Sequence, residues 1–103
     1  MRYYEMHADT CKIFGHPKRL FIIDTLRKGE MPVTEIGRIT QIDKSNLSQH
    51  LHVLREKNIV KSRREGTKII YRLSHPNIIK AYDLISAVLR GGISESQSII
   101  EGK

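Results

Sequence analysis

Residues 44–73 constrain the fold most. On a helical wheel Leu47, Leu51 and Leu54 gather on one side, while Ser45, Gln49, His52 and Glu56 point the other way with Ser48 on their flank. Such a helix buries one leucine stripe and turns small polar and amide side chains outward. After Asn58 the period changes from that of a helix to that of a strand. Residues 59–64 and 67–73 flank Glu65-Gly66, which reads as a β-hairpin with glycine at its turn. A chain of 103 residues has room for one hydrophobic core. Helix and hairpin must therefore share it.

The rest of the chain supplies the other walls of that core. Tyr3, His7, Cys11 and Phe14 recur at helical spacing, giving a first helix over 2–14. Gly15-His16-Pro17 interrupts it, and Pro17 suits the first turn of a second helix running to about residue 28. With Leu20, Phe21, Ile22, Ile23 and Leu26, that helix is apolar on nearly every side and is expected at the centre. A short third helix is predicted over 33–39. A tight Thr40-Gln41-Ile42 connection follows, then a fourth helix to about 57 capped by Asp43 or Ser45. A fifth begins at Pro76, with Ser74 or His75 as cap, and Gly91-Gly92 is expected to end it at 90. The order α-α-α-α-β-β-α describes a mainly α protein with a β-hairpin wing, a winged helix-turn-helix domain over 1–90. The helix-turn-helix covers about 33–57, the wing 59–73, and 91–103 is expected to be a flexible tail.

Charge points to the ligand. Lys and Arg number 18 against 11 acids, a net charge of +7 with a pI near 9.8. Residues 41–72 hold eight of those cations against three acids, a concentration that suits a polyanion such as nucleic acid. The outward face of the fourth helix has the chemistry of a base reader: Gln pairs bidentately with adenine and Ser reaches several base edges. Phosphates, which fix register, suit Lys44 and the amino-terminal amides. The candidate recognition set is Lys44, Ser45, Asn46, Ser48, Gln49 and His52, and the candidate wing contacts are Arg63, Arg64, Thr67 and Lys68. His50 projects beside the leucine stripe and reads as a packing residue. No Gly-rich phosphate loop and no nucleophile-base pair at a recognisable spacing argues for an enzyme. No apolar stretch is long enough for a membrane span or a signal peptide, and a lone cysteine fits a reducing compartment, so a cytoplasmic location is expected.

Three segments, 15–20, 45–56 and 63–73, together resemble the ArsR/SmtB family of repressors over about residues 5–90. They read Gly-His-Pro-Lys-Arg-Leu, Ser-Asn-Leu-Ser-Gln-His-Leu-His-Val-Leu-Arg-Glu and Arg-Arg-Glu-Gly-Thr-Lys-Ile-Ile-Tyr-Arg-Leu. The resemblance implies a homodimer built from the first and last helices, bound to double-stranded DNA and released by an inducer. The candidate interface is Tyr3, Tyr4, Cys11, Phe14, Ile78, Tyr82, Ile85 and Leu89, an apolar surface larger than a domain this small needs for itself. A sequence-tolerant architectural DNA-binding protein is the alternative; a polar base-facing helix favours a sequence reader. The family's metal ligands are missing. Its Cys-x-Cys pair falls on Pro32 and Thr34, and its fifth-helix ligand positions read His75, Asn77, Val88 and Gly91. No metal, no cofactor and no particular inducer is assigned. Cys11, with His7 one turn earlier, reads as packing, as a redox thiol, or as half of a metal site completed across a two-fold axis.

Overall fold

The computed structural model describes residues 1–100, with side chains through Gly91. Helix α1 (Arg2–Ile13) precedes α2 (Pro17–Thr25), which tightens into a 3-10 turn (Leu26–Lys28). Strand β1 (Met31–Pro32) leads directly into α3 (Val33–Thr40), followed by α4 (Lys44–Glu56). Strands β2 (Val60–Glu65) and β3 (Lys68–Leu73) form the wing, and α5 (Pro76–Ile100) follows.

Local chemistry sets these boundaries. His16 caps α2, its Nδ1 accepting from the Lys18 N–H at 3.3 Å, with Pro17 at the first helical position. Thr40 builds the helix-turn-helix corner: its buried hydroxyl donates to the Ile36 carbonyl at 2.8 Å and accepts from the Ile42 N–H at 3.3 Å. Gln41 then turns the chain with φ of 59°, a left-handed conformation that ends α3. Asp43 caps α4 by accepting from the Asn46 N–H at 2.9 Å, which holds its carboxyl below the usual range.

The core lies between α2, α3, α4 and the sheet. Ile22, Ile23, Ile36, Leu51, Leu54 and Val60 are almost wholly shielded from solvent. The leucine stripe is buried as its spacing predicts, with Leu47 3% exposed. Wing residues pair antiparallel from Glu65↔Lys68 to Val60↔Leu73, so Val60, Ser62 and Arg64 share a face with Leu73, Tyr71 and Ile69. The loop is Gly66-Thr67, with a positive φ of 61° at Gly66 alone, the pattern of a type II′ turn.

Four expectations need correction. Thr67 belongs to the turn and not to the second wing strand. The sheet has a third strand, β1, paired with β3 through Met31↔Tyr71 and Pro32↔Ile70. Two residues carry no periodicity, and proline is tolerated there because it sits on a sheet edge. Helix α2 is not buried all round, since Phe21 is 46% exposed. Finally α5 runs through Gly91 and Gly92 to Ile100 instead of stopping at 90. Glycine costs a helix only about 1 kcal/mol relative to alanine, and no proline follows to enforce a stop. Of the expected tail, residues 101–103 lie outside the described residues.

Candidate nucleic-acid interface

Opposite the buried leucines, α4 presents Ser45, Ser48, Gln49 and His52, all exposed, with Lys44 exposed in its first turn. Asn46 differs from the rest of the predicted set. It is half-buried, and its Nδ2 donates to Asp43 Oδ2 at 2.6 Å while its N–H donates to Oδ1. The backbone N–H and one Nδ2 hydrogen of Asn46 thus serve the cap, while its second Nδ2 hydrogen and Oδ1 are not engaged by it. Helices α3 and α4 pack side by side at Gly37, where a Cβ would stand in ordinary van der Waals contact, 3.5 Å from a Leu47 methyl. His50 is half-buried and packs edge-on against His16, ring centroids 4.6 Å apart. Burial, together with the charges of His16, Arg19 and Lys18, pushes the His50 pKa down.

The wing divides its cations into two classes. Arg63 donates through both terminal nitrogens to Glu30, at 2.6 and 2.7 Å, and also to Glu65. Its guanidinium fork is filled by carboxylates, and the pairing holds the Glu30 carboxyl below its usual range. Arg63 thus ties the wing to the segment before β1 and has few donors left for DNA. Arg64 and Lys68 are exposed and make no ion pair among the described residues. Arg64 lies on the face shared with Val60 and Tyr71, the face turned toward the helices. Lys61 and Arg72, which the sequence pattern does not single out, oppose one another in register on the other face. Arg64→Ala is expected to weaken binding to every duplex and to lower the salt slope by about one unit for each phosphate it no longer neutralises. Arg63→Ala should leave that slope nearly unchanged. Titrations at several salt concentrations check both, and equal slopes for wild type and Arg64→Ala would take the wing tip off the DNA.

Residues 16–62, which contain this arrangement, match the family described as bacterial regulatory protein, arsR family. An uncharacterised HTH-type transcriptional regulator of Mycobacterium tuberculosis, Rv0081, is 31% identical across 95% of this chain and 87% of its own length. Its crystal structure superposes with a TM-score of 0.86, covering 93% of this chain and 97% of that one. The biofilm growth-associated repressor of Xylella fastidiosa is 41% identical over 79% of this chain and 68% of its own. A homodimeric winged helix-turn-helix DNA-binding domain from Mycobacterium bovis is 28% identical with a TM-score of 0.78, covering 86% of this chain and 82% of that one.

The chain belongs to the arsR family of bacterial regulatory proteins. It is a DNA-binding transcriptional regulator with a winged helix-turn-helix. The family and these relatives are regulators rather than enzymes, and no helix among the described residues is long and apolar enough to cross a membrane.

The outer helices, α1 and α5, are the part of the chain that its own core does not cover. Every residue of α1 through Lys12 is exposed; Ile13 alone is buried, and Phe14 is half-buried. Tyr3 and Tyr4, 69% and 70% exposed, stand with Met6 and Cys11 on a helix too short to be stable by itself in water. On α5 the predicted residues split. Ile78 and Tyr82 pack partly on the core, whereas Ile85 and Leu89 are exposed beside Leu84 and Val88. Leu84 and Met6 join the exposed set without having been expected there, Leu84 because one more apolar residue in a rich helix does not declare its face. Phe14, Leu20, Tyr82, Ile85, Ser86 and Leu89 line an apolar groove of about 200 Å³. Arg27 fixes the angle of α5, donating to Asp83 at 2.8 Å and Asp24 at 2.6 Å with its guanidinium 5.6 Å from the Tyr82 ring.

The candidate sensor pair is adjacent, Cys11 Sγ lying 3.6 Å from His7 Nδ1 on the exposed face of α1. Among the described residues no three His, Cys, Asp or Glu side chains gather as a metal site. His75 has a structural task, its Nδ1 accepting from the Asn77 N–H at 3.0 Å to cap α5. Asn77 and Gly91 supply no metal-binding side chain, and Val88 belongs to the exposed apolar face.

Proposed function

We propose that two copies of this chain, paired through α1 and α5, bind an inverted-repeat operator in the cytoplasm and repress transcription until an inducer releases them. One observation carries the reading: Ser45, Ser48, Gln49 and His52 form an exposed polar strip on α4, and the Arg64 and Lys68 wing belongs to the same small domain. Hydroxyl and amide groups read base edges, and cations outside the strip neutralise flanking phosphates. A sequence-tolerant architectural protein would need the phosphate contacts but has no use for a glutamine at the centre of a groove-facing strip. Inducer release through the metal positions usual in the family is disfavoured, since Pro32, Thr34, Asn77 and Val88 offer no ligand.

The test begins by selecting a preferred duplex from a random pool with the wild-type protein. Gln49→Ala should weaken binding to that duplex by about 1–3 kcal/mol and relax base preference at one position in each half-site. Binding to unselected DNA should change far less. If the pool yields no enriched sequence, or if Gln49→Ala weakens binding equally on both duplexes, α4 is not a base reader.

A further inference from the structure

We infer that the first turn of α2 is a third DNA contact: Lys18 and Arg19 grip a backbone phosphate in the groove beside α4, and His50 takes up a proton as it arrives. The inference rests on α4 being the groove-entering helix.

A shallow groove of about 500 Å³ is lined by Ser48, Gln49, His52 and Val53 of α4, by His50, and by Arg19 of α2. Three of those residues belong to the proposed reading strip, so a duplex seated on α4 brings its backbone over this groove. Arg19 is half-buried, and its Nε is shielded from solvent with no hydrogen-bond partner among the described residues. A shielded guanidinium donor without an acceptor is unfavourable, and a phosphodiester supplies acceptor oxygens in the geometry that a guanidinium matches. Lys18 is exposed on the same turn, and its charge is felt both at Asp43, the α4 cap, and at His50. The first turn of α2 contains no acid, so its amino-terminal dipole adds to the same positive field.

His16 Nδ1 accepts from the Lys18 N–H and caps α2. The His50 side chain makes no such hydrogen bond among the described residues. The charges that lower its pKa are those of His16, the α2 cap, and of Arg19 and Lys18 in the first turn of α2, and His52 lines the same groove. The Asp43 carboxylate, which also feels Lys18, is engaged in capping α4 at Asn46. In the unbound protein, burial and those cations keep the His50 pKa below the ordinary histidine value. A phosphate offsets the cations and raises it. A group whose pKa rises on binding gains a proton in the complex, so affinity must increase as pH falls through the interval between bound and unbound values.

The experiment titrates wild type, Arg19→Gln, Arg19→Lys, Lys18→Gln and His50→Gln onto the selected duplex by fluorescence anisotropy. Salt concentration and pH are varied, and circular dichroism follows the fold. Arg19→Gln and Lys18→Gln should each lower the salt slope, by no more than about one unit per subunit for the phosphate they share, and Arg19→Lys should keep it. Between pH 7.5 and 5.5, chosen to span about one unit either side of the ordinary histidine value, wild type should gain more affinity than His50→Gln. The gap approaches tenfold per pH unit for each proton taken up. All other histidines are common to both proteins, so the difference isolates His50. Unchanged slopes in Lys18→Gln and in folded Arg19→Gln, or superimposable pH profiles, would overturn the contact. If Arg19→Gln unfolds, the Lys18→Gln slope decides. Failure of the wild type to select any sequence would defeat the α4 reading instead, a result distinguishable from these.

Discussion

Ile85→Asp is expected to dissociate the protein into folded monomers and to abolish measurable operator binding at concentrations where the wild type saturates. In the single chain Ile85 is 61% exposed, so an aspartate there costs the monomer little. In a dimer it would place a carboxylate among Leu84, Val88, Leu89 and the tyrosines of α1, where a charge without a partner is strongly unfavourable. The weaker binding follows from geometry. A two-fold axis sets two recognition helices about 34–36 Å apart, one DNA turn. Once the first helix lands, the second binds at high effective concentration, an advantage of roughly 10²–10⁴ that a monomer forfeits. Sedimentation at micromolar concentration and anisotropy on the selected duplex check the two halves together. A monomeric wild type, or an Ile85→Asp dimer that binds normally, would remove α5 from the interface.

That prediction moves the centre of the seam along α5, and the reason shows what a sequence conveys here. Helix α4 and the hairpin were legible because their information is local. A leucine stripe opposite a polar strip has one helical solution, and a glycine between two alternating segments has one hairpin solution. The cap at Asp43 depends on equally local chemistry, although Ser45 competes with it until the Asn46 N–H settles the choice. Partnerships across the fold were not legible. Arg63 and Glu30 lie 33 positions apart, so nothing in the wing segment marks Arg63 as a brace and Arg64 as the exposed cation. Arg19 sits in a motif that reads as the start of a buried helix. Only the packing of α2 against α4 brings it beside Gln49. Strand β1 was invisible because its pairing is dictated by β3 and not by its own two residues. The face that α5 turns outward depends on which of its many apolar residues the core has already taken.

Leu51→Ala is expected to lower stability by about 2–5 kcal/mol, a large part of the roughly 5–15 kcal/mol available to a small domain. Leu51 is 1% exposed and sits at the middle of the stripe, between Leu47 and Leu54, which are themselves 3% and 0% exposed. Neighbours that tightly placed cannot collapse into the space left by three missing carbons, so the cavity cost adds to the forfeited transfer free energy. The site also lies one position from His50 and His52, so the damage falls on the element that carries the reading strip. Leu51→Met, which keeps the volume, should cost less than about 1.5 kcal/mol. Gln49→Ala, two residues away on the exposed face, should stay within about 0.5 kcal/mol while binding the selected duplex more weakly. Urea unfolding at fixed protein concentration separates the three, the concentration being held because dimerisation itself stabilises the folded chain. The ordering is the decisive feature: Leu51→Ala must impair fold and binding together, and Gln49→Ala binding alone. A Leu51→Ala protein as stable as the Gln49→Ala protein would mean that α4 is not anchored through its leucines, and the assignment of its opposite face to DNA would have no structural basis.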